Sequence, residues 1–158
     1  MKVAFFSSSA DQKNGWGAMT HELGTIFLKQ YAAEVEFEIF LPATEAHQDY
    51  LHSSPLQARV SCTLPPFVHW FGNPKRFWDY WLKQPNLAGV DVIHCLDFPY
   101  AISGMLCSRK IVPYIITLCG TYFKPHRSFP DGWLFRTAYR RAAEVNAISS
   151  FTLAQARQ

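Results

Sequence analysis

The chain has 158 residues, about one ordinary domain, with 49% hydrophobic, 17% charged and 16% aromatic residues; this excludes a disordered chain and supplies large side chains for a core. Its net charge of +3 is uneven: residues 1–90 sum to −1 and residues 91–158 to +4, and the stretch 109–141 holds seven bases (Arg109, Lys110, Lys124, Arg127, Arg136, Arg140, Arg141) against the single acid Asp131. Such a stretch suits an anionic ligand or an anionic membrane surface, or forms a solvated basic face.

Val3-Ala4-Phe5-Phe6 is a continuous apolar run bounded by serines, the pattern of a strand buried on both faces of a parallel sheet. A polar loop from Ser7 to Gly17 follows, then Met19, Leu23, Ile26, Phe27 and Tyr31 at helical spacing, predicting a helix over about 18–31. Residues 34–41 alternate strictly and predict a second strand, ended by Pro42. Residues 43–57 are polar and admit a short helix. Residues 58–64 alternate again and predict a third strand, stopped by Pro65-Pro66. Phe77, Trp78, Trp81 and Leu82 share one face of a helix expected over about 74–84. That face reads as an aromatic lid or as large anchors packed on the sheet, and the spacing favours packing. Strands over 90–96, 114–118 and 144–148 alternate with helices over 100–108 and 132–143, and Ser149 or Ser150 is placed to cap a last helix.

This alternation predicts an α/β fold: a doubly wound, mostly parallel sheet with helices on both faces, Rossmann-like, over a single domain spanning 1–158. The start MKVAFFSSSA is too short for a secretory signal, and no apolar run of about 18 residues predicts a transmembrane helix. Cys62, Cys95, Cys107 and Cys119 form no C-x-x-C pair and no zinc spacing, so no metal site is expected. Cys62 and Cys95 lie in apolar runs and read as buried thiols, which fits a reducing cytoplasm.

Ligands of doubly wound sheets bind at the carboxyl ends of the strands, near the point where strand order reverses. That rule selects the segment Ser7 to Gly17 after the first strand, which contains Gly15-Trp16-Gly17, where glycines before a helix let backbone N–H groups approach a phosphate. It also selects His94, Asp97 and Phe98 after the fourth strand, Cys119-Gly120-Thr121 after the fifth, and Ser149 and Ser150 after the sixth. The dinucleotide fingerprint is broken: Thr20 stands at the third glycine, and the second strand ends in Phe40-Leu41-Pro42 with no acid for a ribose. His94 reads as a ligand-facing group or as a satisfied structural histidine, and Cys119 as a reactive group or a structural thiol. A Cys-His hydrolase dyad with His94 or His126 lacks a supporting nucleophile-elbow motif.

Taken together, Gly15-Trp16-Gly17, the run Asp91 to Phe98, the run Tyr114 to Tyr122 and the Ala-x-x-Val-x-Ala-Ile-Ser-Ser segment within Ala138 to Phe151 resemble the retaining glycosyltransferases of two-Rossmann (GT-B) architecture usually called family 4. The resemblance covers nearly the whole chain and implies the N-terminal, acceptor-side half of an enzyme that moves a sugar from a UDP- or GDP-sugar to an acceptor. It implies no tightly bound cofactor and a partner C-terminal Rossmann domain that binds the donor nucleotide, leaving the isolated chain inactive. The acceptor class is a sugar, a lipid-linked molecule or a small metabolite, with no nucleic acid. Through the resemblance, Gly15–Gly17 approach the donor diphosphate and shape the acceptor pocket, and the end of the fifth strand contacts the transferring sugar. Lys124 and Arg127 are candidate anion contacts. Cys119 departs from the family's Thr-x-His-Gly pattern, and Leu96 stands where a second His is common. The expected location is the cytoplasm, with peripheral contact at the inner face of the membrane. The rivals are a non-catalytic sugar- or nucleotide-binding module and another α/β nucleotide-binding enzyme.

Overall fold

The computed structural model describes residues 1–66, 78, 80–97, 100–108, 111–119 and 131–156. Among these, β1 (Lys2–Phe6), β2 (Glu36–Pro42), β3 (Val60–Leu64), β4 (Val92–Cys95), β5 (Tyr114–Leu118) and β6 (Glu144–Ala147) form one all-parallel sheet in the order β3-β2-β1-β4-β5-β6. The order reverses between β1 and β4. There Phe5 pairs with Ile39 of β2 on one side and His94 of β4 on the other. The α/β, Rossmann-like fold expected from the alternation is therefore present.

The sheet is covered on both faces because the central strands send apolar side chains to both, interrupted by Lys2 in β1, His94 in β4 and Thr117 in β5. One face carries Val3, Phe5, Phe37, Ile39 and Leu41, which pack against Met19, Leu23 and Phe27 of α1 (Gly15–Gln30) and against Leu51 and Leu56. Phe5, Phe27 and Phe37 form an edge-to-face triangle with centroids 5.2, 5.9 and 5.8 Å apart, the arrangement that aromatic quadrupoles favour. Leu51 lies in the four-residue α2 (Asp49–His52), set between the 3₁₀ turns Ala43–His47 and Gln57–Arg59; these three short turns are what the polar 43–57 segment forms. The second 3₁₀ turn delays β3 to Val60.

The other face carries Ala4, Phe6, Ile93, Cys95, Ile116 and Leu118 under α3 (Ala101–Ser108) and α4 (Asp131–Arg141), with Ile102, Leu134, Phe135 and Ala138 pointing inward. Gly104 lets α3 lie close on β4, since a Cβ there would stand 2.5 Å from Cys95 Sγ. Tyr114 reaches from β5 to donate its hydroxyl to the Ala138 carbonyl. Burial of such a side chain contributes about 2 kcal/mol apiece, so the two layers rather than helix propensity hold the sheet.

Three expectations need correction. Trp78 and Tyr80–Leu82 are helical, but among the described residues of this segment Tyr80 is the one that packs inward, 2% exposed and hydrogen-bonded to Ser103 of α3. Trp78, Trp81 and Leu82 are 58%, 46% and 77% exposed; Phe77 lies outside the described residues. Cys62 is part-exposed because β3 is an edge strand, whereas Cys95 in central β4 is buried. Helix α1 begins at Gly15 rather than near residue 18, so Gly15–Gly17 form its first turn instead of a loop before it.

Candidate functional site

The carboxyl ends of β1 and β4 meet at the reversal point, where the chain is polar inside an otherwise apolar interior. Ladder bonds continue past both strands, Ser7 N–H donating to Phe40 O at 3.1 Å and Leu96 N–H to Phe6 O at 2.8 Å. This alignment sets Asp97 beside Ser8. One Asp97 oxygen, Oδ2, accepts the Ser8 N–H at 2.7 Å and the Ser8 hydroxyl at 2.6 Å. The other, Oδ1, is buried with no hydrogen-bond partner among the described residues. Asp97 is wholly buried, and that burial raises its carboxyl to about 6, against the opposing pull of the two Ser8 bonds and of the Tyr100 N–H and Ser7 hydroxyl nearby. At neutral pH the site therefore holds a carboxylate whose ionisation costs free energy.

Ser7 and Thr20 continue the polar cluster. Their hydroxyl oxygens are 2.7 Å apart, both side chains are buried, and Thr20 Oγ1 also donates to Trp16 O at 3.0 Å. The position that breaks the dinucleotide fingerprint thus carries a hydroxyl that ties α1 to the end of β1.

The turn from β1 to α1 is closed by its own groups. Asn14, in an extended conformation, caps the helix by accepting the Gly17 N–H on Oδ1 at 2.6 Å. A Cβ on Gly17 would stand 2.2 Å from Asp11 O, so this glycine admits the loop backbone; a Cβ on Gly15 would meet nothing within 4 Å. On its outer side the loop is wired to the segment after β2. Ser9 Oγ donates to Glu45 Oε2 at 3.1 Å and accepts from Asn14 Nδ2 at 3.2 Å, while the Tyr50 hydroxyl donates to the same Glu45 oxygen. Burial first, and then the Glu45 hydrogen bond, pushes the Tyr50 phenol up to about 12, so it stays a donor.

Cys119 follows β5 and is 7% exposed. Its Sγ lies 3.3 Å from Leu96 O and 3.2 Å from Met19 Sδ, joining the ends of β5 and β4 to α1. Burial, and next the Asp97 charge, raises the thiol to about 11. The position therefore carries a neutral S–H donor rather than a thiolate nucleophile. His94 lies within β4, its ring 5.7 Å from Phe5 and its Nε2 2.7 Å from Thr117 Oγ1. Burial lowers it to about 4, partly offset by Glu144, so it is a neutral imidazole in the sheet. Ser149 accepts the Thr152 N–H at 3.1 Å and caps α5 (Ser150–Ala156). Gly120, Thr121, Lys124 and Arg127 lie outside the described residues.

The family model of the glycosyl transferase 4-like domain matches residues 18–158. The chain belongs to that family. No curated protein sequence and no solved structure gives a significant match. The matched span of the glycosyl transferase 4-like domain contains Asp97 and Cys119 and begins just after Gly15–Gly17. Of the sequence-selected residues in this domain, Asp97 joins Ser8 at the end of β1, Cys119 meets Leu96 and Met19, and Gly17 packs on Asp11. The fold leaves His94 within the sheet and Ser149 at a helix cap.

Ser7 and Ser8 lie in the Ser7–Gly17 segment that the strand-end rule selects, but sequence does not pair them with Thr20 and Asp97, nor does it bring in Glu45 and Tyr50. Glu45 stands three residues beyond Pro42, where no strand-end rule looks for it.

Proposed function

We propose that this domain is the acceptor-side half of a glycosyltransferase that moves a sugar from a UDP- or GDP-sugar to a hydroxyl-bearing acceptor, with retention at the anomeric carbon. The observation that carries the reading is the hydroxyl- and carboxyl-rich cluster at the β1/β4 reversal, centred on Asp97 and Ser8. Sugar hydroxyls are both donors and acceptors, and a carboxylate in a low-dielectric setting holds such a donor strongly. The inner capping of α1 supports placing the donor diphosphate elsewhere: Asn14 already takes the Gly17 N–H, so that group is not offered to a phosphate. In this reading a second Rossmann domain holds the nucleotide, and dipoles and cations stabilise the departing diphosphate, with Lys124 and Arg127 as candidates. Cys119 offers the transferring sugar a neutral S–H in place of the imidazole of the family pattern.

That substitution favours a second reading, a sugar-binding module without turnover, because a thiol held near 11 supplies neither charge nor proton transfer at neutral pH. The uninterrupted reading frame, assayed for release of UDP or GDP from sugar nucleotides beside the 158-residue chain and a Cys119→His variant, separates the two. Turnover by the long form alone supports the transferase; sugar binding without turnover in all three supports the module.

A further inference from the structure

The β1–α1 loop has two sides. Ser8 bonds to Asp97 on the strand-end side, whereas Ser9 and Ala10 bond to the segment after β2. Between that loop and residues 49–55 lies an open groove of about 400 Å³, a volume in the range of small-molecule sites. Hydrogen bonds fix its two walls to each other. The Tyr50 hydroxyl accepts the Ala10 N–H at 3.4 Å and donates to Glu45, and Ser9 Oγ donates to the same carboxylate. With that hydroxyl engaged, what Tyr50 adds to the lining is aromatic surface. The rest of the lining is polar: Asp11 on the loop wall, Asp49 on the α2 wall, and Gln12, Lys13 and His21 beside them. Asp49 and Lys13 are exposed and in no ion pair among the described residues. The Gln12 amide donates to His21 Nε2 at 2.8 Å, and these two side chains also line an adjoining cleft of about 440 Å³. Thr25 Oγ1 in that second lining is buried with no hydrogen-bond partner among the described residues.

Two carboxylates on facing walls against one ammonium disfavour a phosphate or any other anion. Carboxylates are strong acceptors for hydroxyl donors, and amide, imidazole and ammonium groups supply the matching donors. Set beside an aromatic surface, that combination fits the hydroxyls and the C–H face of a pyranose. We propose that the groove between the β1–α1 loop and residues 49–55, with the cleft that joins it at Gln12 and His21, holds the uncharged saccharide part of the acceptor. The inference rests on the sugar-transfer reading and narrows its acceptor class, from any hydroxyl-bearing molecule to a neutral glycan.

Titration of the nitrogen-15-labelled whole chain, followed by amide chemical shifts, tests it with maltose, cellobiose, lactose and N,N′-diacetylchitobiose, and with inorganic phosphate. One of the disaccharides should shift the amides of residues 10–13, 21 and 49–54 saturably, with a Kd on the order of 1 mM; phosphate should shift none of them. His21→Ala and Asp49→Ala, at positions that are not buried, should each weaken that binding about tenfold with an unchanged circular dichroism spectrum. No saturable shift from any of the four at about 50 mM, saturable shifts that spare all of these residues, full affinity in both variants, or a saturable response to phosphate in the groove each overturns the proposal. The titration reads the groove, and release of nucleoside diphosphate reads the transferase, so an empty groove in a chain whose full reading frame turns over overturns this inference alone.

Discussion

Asp97 accepts both the main-chain N–H and the hydroxyl of Ser8, at 2.7 and 2.6 Å, and so ties the end of β4 to the end of β1 at the point where strand order reverses. The pair lies at the strand ends beside which doubly wound sheets bind ligands. It carries a cost, because burial holds the carboxyl near 6 against an ordinary value of 3.8.

That cost is measurable. A carboxyl raised in the fold binds more protons folded than unfolded between about pH 4 and 6, so its contribution falls as pH rises through that window. A shift of about two units corresponds to about 3 kcal/mol at most. Asp97→Asn should therefore stabilise the fold at pH 7.5 by about 1–3 kcal/mol, and the gain should vanish at pH 4. A variant less stable than wild type at pH 7.5 in chemical denaturation would show that the carboxylate is a net structural asset.

His94 acts with the opposite sign. Its imidazole is lowered to about 4, so the unfolded chain binds the extra proton and stability is lost as pH falls from about 6.5 to 4. In the wild type the two groups oppose each other over nearly the same window. His94→Gln, which keeps a partner for Thr117, should expose the Asp97 slope, with Tm rising as pH drops from 6.5 to 4.5. Asp97→Asn should expose the reverse slope. Parallel Tm-against-pH curves for both variants would contradict the assignment.

Much of this was legible in the sequence. The 2.0 and 3.6 periodicities placed the strands and helices, because the central strands are mostly apolar and α1 carries an apolar stripe. The strand-end rule then located Asp97 and Cys119. What the sequence did not show was pairing across distance: Ser8 with Asp97 is a contact between residues 89 apart, and Glu45 meets Ser9 only after β2 has been laid beside β1. The aromatic run misled because Tyr80, with a hydroxyl, proved the better inward anchor than its larger neighbours, Ser103 supplying the partner that a buried phenol needs.

Gly17 and Gly15 separate close approach from helix entry. Gly17→Ala forces its Cβ into the Asp11 carbonyl and should cost about 1–3 kcal/mol. Gly15→Ala meets open space and should be neutral or stabilising by up to about 1 kcal/mol. Equal Tm values for the two variants would mean that the loop is not packed on the helix.

Thiol reactivity should follow burial. Part-exposed Cys62 should alkylate in the native chain well before Cys95 and Cys119, both buried and both raised by that burial. Mass spectrometry after timed iodoacetamide exposure reads the order directly. Rapid native labelling of Cys119 would place it in solvent as a thiolate.

The most direct test of the account is release of nucleoside diphosphate from UDP- and GDP-sugars by the product of the uninterrupted reading frame, measured with Asp97 intact and as Asp97→Asn. The account predicts turnover with one of these donors and its loss, by about 100-fold or more, in a variant that is folded and more stable at pH 7.5. Full turnover in Asp97→Asn would contradict the central role of the β1/β4 crevice, and no turnover from any donor with Asp97 intact would contradict the transferase itself.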